Sequence, residues 1–227
     1  MKLETCRVSL SPHHVTTPLT FALEAGQHAM VVGPNGAGKS VLLSVLAGEG
    51  KVQAGNRSIS SRTAVVSTSV QQQMIAAEKR KDDADILDVF PVPTCVSDIL
   101  GHVRDEHVKT LCHELGITPL LTQPFLSLST GETRKLLFIL ALNSEPQVLI
   151  LDNPWEGVDD ASRDIMLRVI ERIHQHVQII IAVNRLQDMP EIPAVLTLME
   201  NGEVISQSPA PYADNMASCK TLSLIHI

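Results

Sequence analysis

The sequence predicts an α/β fold, a mixed sheet core carrying an inserted, mainly helical segment from about Gln71 to Glu145. Three observations lead there. The stretches His28–Val32, Val148–Leu151 and Ile179–Val183 are short, mostly apolar runs of the kind a strand buried on both faces needs. Helix-period segments follow them at Val41–Ala47 and Asp160–His176. Between the two strand-rich thirds, apolar residues recur at helical spacing among mixed charges.

Taken in order, the first third is strand-rich and turn-rich. Arg7–Leu10 and Leu19–Leu23 are short strands separated by Pro, Thr and Gly. His28–Val32 runs straight into a Gly-rich loop, and Val41–Ala47 forms a short helix stopped at Gly48. Thr63–Val66 is a further short strand. The run EKRKDDADILD at Glu78–Asp88 reads as a solvated helix or loop. From Val96 to Leu115 the spacing of Val96, Ile99, Leu100 and Val103 predicts a helix, before Pro119 and Pro124 break the chain. Gly131–Leu142 is a helix closed by Asn143–Pro146. Val148–Leu151 is a buried strand, and Asp160–His176 is a helix with Ile165, Val169, Ile170 and Ile173 on one face. Ile179–Val183 is another buried strand. Val195–Met199 and Glu203–Ser206 flank Asn201-Gly202, the dipeptide that favours a tight hairpin, and beyond Gln207 the pattern fades.

Composition narrows the function classes. The 227 residues can bury a core without metals or disulfides. A formal net charge of -7 argues against a broadly basic nucleic-acid surface, and 3% aromatics argues against base-stacking platforms. No apolar run approaches the roughly 20 residues that span a bilayer, so any membrane role goes through a partner. Met1–Leu10 lacks the apolar stretch of a secretion signal. Cys6, Cys95, Cys112 and Cys219 have neither zinc-ligand spacing nor a disulfide pattern, which fits reduced thiols in a cytosolic protein. Neither His13-His14 nor the pair His174 and His176 has a third metal ligand at a fitting interval.

The chemistry sits in Gly33–Ser40, GPNGAGKS, a full phosphate-loop motif between a strand and a helix. Gly33, Gly36 and Gly38 let the backbone turn tightly and aim successive N–H groups inward at phosphates. Lys39 then reaches the outer phosphates, and the Ser40 hydroxyl suits Mg²⁺. The strand Val148–Leu151 ends in Asp152, a carboxylate placed to serve the same metal.

Leu128–Glu132 reads LSTGE and lies between that loop and the strand ending in Asp152. This order resembles the nucleotide-binding domain of ABC ATPases, whose signature is LSGGQ. Gln71, Gln72 and Gln73 stand where that family's Q-loop glutamine belongs, and Glu156–Asp159, EGVD, resembles its D-loop. LSLSTGETRK at Leu126–Lys135, QQQMIAAEKRKDDAD from Gln71 and VNRLQDMP at Val183–Pro190 are similar to the N-terminal domain of ModF-type proteins. Those are tandem ABC ATPases linked to molybdenum uptake.

The resemblance implies a P-loop NTPase of ABC type. Its core would cover about 1–70 and 146–206 and its helical subdomain about 71–145, with a tail at 207–227. It implies that Gly33, Pro34, Asn35, Gly36, Ala37, Gly38, Lys39, Ser40 and Val41 hold ATP. Ser40, Gln71 and Asp152 would hold Mg²⁺, and catalysis would draw on Lys39, Gln71, Asp152, Asn153 and Asn184. Ser129, Thr130 and Gly131 would cap the γ-phosphate of a nucleotide bound by a second ABC domain. That domain is either a second copy of this chain or a C-terminal domain missing from it. The family also implies a cytoplasmic protein, peripheral at the inner face of the membrane where a permease subunit recruits it.

Four departures qualify the expectation. Asn153 stands where the family has the glutamate general base, and an amide cannot accept a proton at working pH. Asn184 replaces the switch histidine, and Glu132 ends the signature in place of Gln. No aromatic residue stands where adenine is stacked, and Val8 is the nearest candidate. Slow hydrolysis is therefore expected. The alternatives are a non-hydrolysing ATP-dependent clamp, or an ABC protein acting on ribosomes or DNA.

Overall fold

The computed structural model describes residues 1–60, 62–85, 93–101, 103, 106–184 and 189–210. The expected tail beyond 210, the end of the charged run at 86–88, Cys219 and residues 185–188 of the 183–190 stretch lie outside the described residues. The chain divides into two compact units. The first comprises Met1–Val65, Pro146–Asn153 and the chain from Leu167 onward; the second comprises Val66–Glu145 and Pro154–Met166. Nothing in the sequence pattern marks the return of 154–166 to the second unit.

The first unit holds two sheets. In one, β1 (Lys2–Ser11) pairs antiparallel with β2 (His14–Val15), β3 (Leu19–Ala22) and β5 (Lys51–Ser58). The other sheet has the order β10-β9-β4-β8-β7-β6. It contains β4 (His28–Val32), β6 (Thr63–Val66), β7 (Val148–Asp152), β8 (Gln178–Ala182), β9 (Ala194–Glu200) and β10 (Glu203–Ala210). β4 runs parallel to β8 and β9, and β7 parallel to β8, while β10 returns antiparallel to β9. The sheet is therefore mixed, as expected. All five residues of β4 are buried, the signature of a central strand covered on both faces. Helix α1 (Lys39–Leu46) packs Leu42, Leu43, Val45 and Leu46 into a core shared with Val31, Ile150, Ile180 and, from the first sheet, Leu3, Val8 and Phe21.

Two strands exceed their sequence signals for a physical reason. β1 buries Leu3, Cys6 and Val8, a spacing of three and then two, because the register shifts between Leu3 and Cys6 and Thr5 takes φ 47. A bulge erases the alternation that marks a strand. β5 was absent from the expectation because none of its residues is fully buried, so no apolar alternation is required of it.

The second unit is mainly helical, with α2 (Thr68–Asp85), α3 (Val96–Leu100), α4 (Glu106–Glu114) and α5 (Thr130–Asn143). The single helix expected from Val96 to Leu115 is instead two. α3 stops at Gly101, whose φ 63 and ψ -149 no helix accommodates. The charged run at Glu78 continues α2 rather than forming a separate element. The helix expected to reach His176 is α6 (Asp160–Ile173), which closes three residues earlier in a turn from Val177 N–H to the Ile173 carbonyl.

Candidate functional site

Three adjacent parallel strands of the first unit end side by side, and each end carries an expected site residue. β4 leads into Gly33, β8 leads to Val183 and Asn184, and β7 ends at Asp152, opposite Ala182 in the register. Gly36 and Gly38 take left-handed φ of 82° and 93°, the backbone choice that folds the loop back over the start of α1. Pro34, Asn35, Gly36 and Ser40 are exposed, Gly38 and Val41 are half-buried, and Ala37 is buried. Lys39 is only 6% exposed. Its ammonium donates to the carbonyls of Gly33 (2.7 Å) and Pro34 (3.1 Å), so it lies inside the loop. Burial pulls its pKa below the ordinary lysine value, and the charge of Asp152 opposes that shift.

The loop is braced from behind by the β9–β10 turn. Gly202 N–H donates to the Ala37 carbonyl (3.0 Å), and the Gly202 carbonyl accepts from the Thr17 hydroxyl (2.5 Å). A Cβ on Gly33 would come within 2.3 Å of the Met199 carbonyl oxygen, and one on Gly38 within 2.9 Å of Gly202 Cα. These glycines are therefore needed for close approach to the hairpin as well as for backbone freedom.

Asn153 follows Asp152 in the left-handed region, φ 46, which asparagine tolerates better than glutamate. Its N–H donates to the Ala182 carbonyl (2.9 Å), and its side-chain amide donates to Asp152 Oδ1 (3.2 Å). The amide thus holds the neighbouring carboxylate and has no basic atom with which to deprotonate water. Asn184 is exposed just beyond β8. Val8, expected nearest the adenine, is fully buried in the core and offers a base no surface. The exposed imidazoles nearest to it along the chain are His13, in the β1–β2 turn, and His14, which opens β2.

In the second unit, Gln71 lies on α2, not in a loop, and is the one buried member of Gln71, Gln72 and Gln73. Its Nε2 donates to the Thr130 carbonyl (3.1 Å), while its buried Oε1 has no protein partner. A buried amide oxygen left open is a donor atom suited to a hard cation such as Mg²⁺. Ser129 caps α5, its hydroxyl accepting from Glu132 N–H (3.3 Å) while the Glu132 carboxylate takes the Ser129 N–H (2.7 Å). Hydrogen bonds from the Ser129 hydroxyl and then its N–H hold the Glu132 carboxyl below its usual range. A Cβ on Gly131 would fall 2.2 Å from the Gly157 carbonyl oxygen, so the first turn of α5 packs directly on the EGVD backbone. The Asp159 carboxylate in turn caps α6 through Ser162 N–H (2.9 Å) and its hydroxyl (2.7 Å).

A separate cavity of about 630 Å³ opens at the opposite ends of β4, β7 and β8. His28, Gln147, His174 and Gln178 line it, and none of the expected site residues does. Among the described residues, no group of three or more His, Cys, Asp or Glu could hold a metal by itself. Nor, among them, is any helix long and apolar enough to cross a membrane.

Known proteins are similar to this chain. The ABC transporter family model matches residues 16–156. The ABC transporter ATP-binding protein ModF of Escherichia coli is 36% identical over 194 residues, which cover 80% of this chain but only 40% of that protein. The molybdenum import ATP-binding protein ModC of Rhodobacter capsulatus is 36% identical over 114 residues, covering 49% of this chain and 31% of that one. The solved ATP-binding subunit of an ABC transporter superposes with a TM-score of 0.69 at 16% identity, covering 97% of this chain and 98% of that chain. A bacterial Atm1-family ABC exporter with ATP bound gives 0.71 at 15% identity, covering 100% of this chain and 42% of that chain. At those identities the superpositions establish the fold; with the matched family and the phosphate loop, they make this chain a member of the ABC transporter ATP-binding family.

Proposed function

We propose that this chain binds Mg-ATP at Gly33–Ser40, buries it against the Ser129–Gly131 turn of a second ABC domain, and hydrolyses it slowly. The observation that carries the binding is Lys39, buried and held inside the loop by the loop's own carbonyls. Bound phosphates compete for that ammonium and accept the N–H groups at the start of α1. The residues present suit the metal: Ser40 opens α1, Asp152 ends β7, and Gln71 keeps an open, buried Oε1. Bound there, Mg²⁺ would neutralise phosphate charge. Asn153 withholds the general base, and Asn184 offers a hydrogen bond without a proton switch.

Equilibrium dialysis with labelled ATP tests the binding. Affinity should be lost in Lys39→Ala and weakened when Mg²⁺ is chelated. Equal affinity in Lys39→Ala refutes the site, and brisk turnover unchanged in Asn153→Ala refutes the slow-hydrolysis claim.

We further propose molybdate transport as the output, exerted in the cytoplasm on a membrane permease at the inner face. The relatives named ModF and ModC support this, although the chain spans less than half the length of either. Reconstitution with a permease should give ATP-dependent molybdate uptake, and uptake independent of this chain would exclude it. A second reading, an ATP-gated clamp that releases nucleotide intact, is favoured by the Asn153 amide bound to Asp152. Recovery of unhydrolysed ATP from the dissociating dimer distinguishes it.

A further inference from the structure

We propose that Arg134 is a positioning residue: with Lys135 it grips the Glu156–Asp159 segment at both ends and so sets the surface that Ser129–Gly131 presents to a partner's nucleotide. The inference rests on the sandwich reading above. Arg134 lies one turn into α5 and is 0% exposed, an expensive place for a guanidinium. It donates through Nη2 to the Thr68 hydroxyl (2.9 Å) and stands 3.8 Å from Glu156 Oε2. Thr68 passes the contact on, its hydroxyl donating to the same Glu156 oxygen (2.9 Å). The next residue, Lys135, reaches Asp159 Oδ2 (3.7 Å) and the Ser162 hydroxyl (3.4 Å). Consecutive cations of one helix thus hold the first and last carboxylates of a four-residue segment.

What lies between those grips explains the arrangement. Gly157 presses its carbonyl on Gly131, leaving no room for a Cβ, so the position of the segment fixes that of the turn. Thr68 also lies one turn before Gln71, whose amide takes the Thr130 carbonyl. A single buried guanidinium therefore sits where the start of α2, the first turn of α5 and the EGVD segment meet. An apolar residue would serve stability at least as well, because burying an ion pair is costly. The planar fork fixes direction, which a lysine at the same position cannot reproduce.

The test uses mixed dimers with one working phosphate loop, the other copy carrying Lys39→Ala, and measures ATP retained through gel filtration. The signature that caps the working loop belongs to the Lys39→Ala copy. Arg134→Lys on that copy should lower retained ATP about tenfold or more, whereas on the working-loop copy it should leave retention within about twofold. Equal loss in both placements, or none in either, overturns the proposal. If Arg134→Lys does not fold, Glu156→Gln carries the same comparison, since the Glu156 side chain is 63% exposed. If unmodified dimers retain no ATP, the sandwich reading has failed, and the grip is judged alone in the monomer. There, emission from Trp155, the neighbour of Glu156, should shift in both Glu156→Gln and Thr68→Val, and unchanged emission in both overturns it.

Discussion

Asn153→Glu tests the reading of the site most directly, because the structure assigns it a gain and a cost. A general base is worth about 10²- to 10⁴-fold in rate, or about 2.7–5.4 kcal/mol of barrier. The cost falls on folding. At φ 46 a glutamate is about 1 kcal/mol less comfortable than an asparagine. The amide contact to Asp152 (3.2 Å) becomes a contact between like charges, removing roughly another 1 kcal/mol. A loss of about 2 kcal/mol in a chain of this size lowers the melting temperature by roughly 4–8 °C. Single-turnover hydrolysis should therefore rise about 10²-fold or more in a protein that melts several degrees earlier. ATP binding can be followed separately by equilibrium dialysis. Asn153→Gly, which frees the backbone without adding a base, should melt no earlier and gain no rate. A glutamate variant that binds ATP yet turns over less than about tenfold faster refutes the reasoning.

Other substitutions address the frame around the site. Gly33→Ala should weaken ATP binding about tenfold or more in equilibrium dialysis, because its Cβ would meet the Met199 carbonyl oxygen at 2.3 Å and push the loop off its support. Gly131→Ala, with its Cβ 2.2 Å from the Gly157 oxygen, should cost about 1–3 kcal/mol in denaturant unfolding and impair capture of a partner's ATP. His28 gives a pH dependence. Its burial, and secondarily the charge of His174, lower its pKa in the folded state, so the unfolded chain binds the proton more readily. This contribution is complete above the ordinary histidine value and is lost as pH falls through it. The unfolding midpoint should drop between pH 7.5 and 5.5, and less so in His28→Asn; an identical drop in both assigns it elsewhere.

What the sequence reveals here depends on whether a residue's task is local. The phosphate loop is legible because three glycines, a lysine and a serine must stand at fixed spacing, and Val148–Leu151 is legible because burial on both faces forces an apolar run. The ABC resemblance added the roles expected of Asn153 and of Ser129–Gly131, which no periodicity encodes. β1 was only partly legible because its bulge breaks the alternation, and the gap at Gly101 was missed because helical spacing continues across it. Arg134 gave no signal. An arginine next to a lysine near a helix start reads as a solvated charge until Thr68 and Glu156, 66 residues before it and 22 after, are brought to it by the fold. Val8 failed for the opposite reason, since proximity along the chain said nothing of its burial.

The bracing of the phosphate loop by Gly202 and Met199 has a consequence for the order in which the molecule comes into being. The loop is made early in translation, but the turn that supports it emerges more than 160 residues later. Until then, Gly33 and Ala37 lack the backbone groups against which they rest. A nascent chain therefore displays the complete nucleotide motif well before it can hold a nucleotide. Ribosome-bound chains arrested on either side of Gly202 should differ in ATP capture, with affinity arriving late and nearly at once.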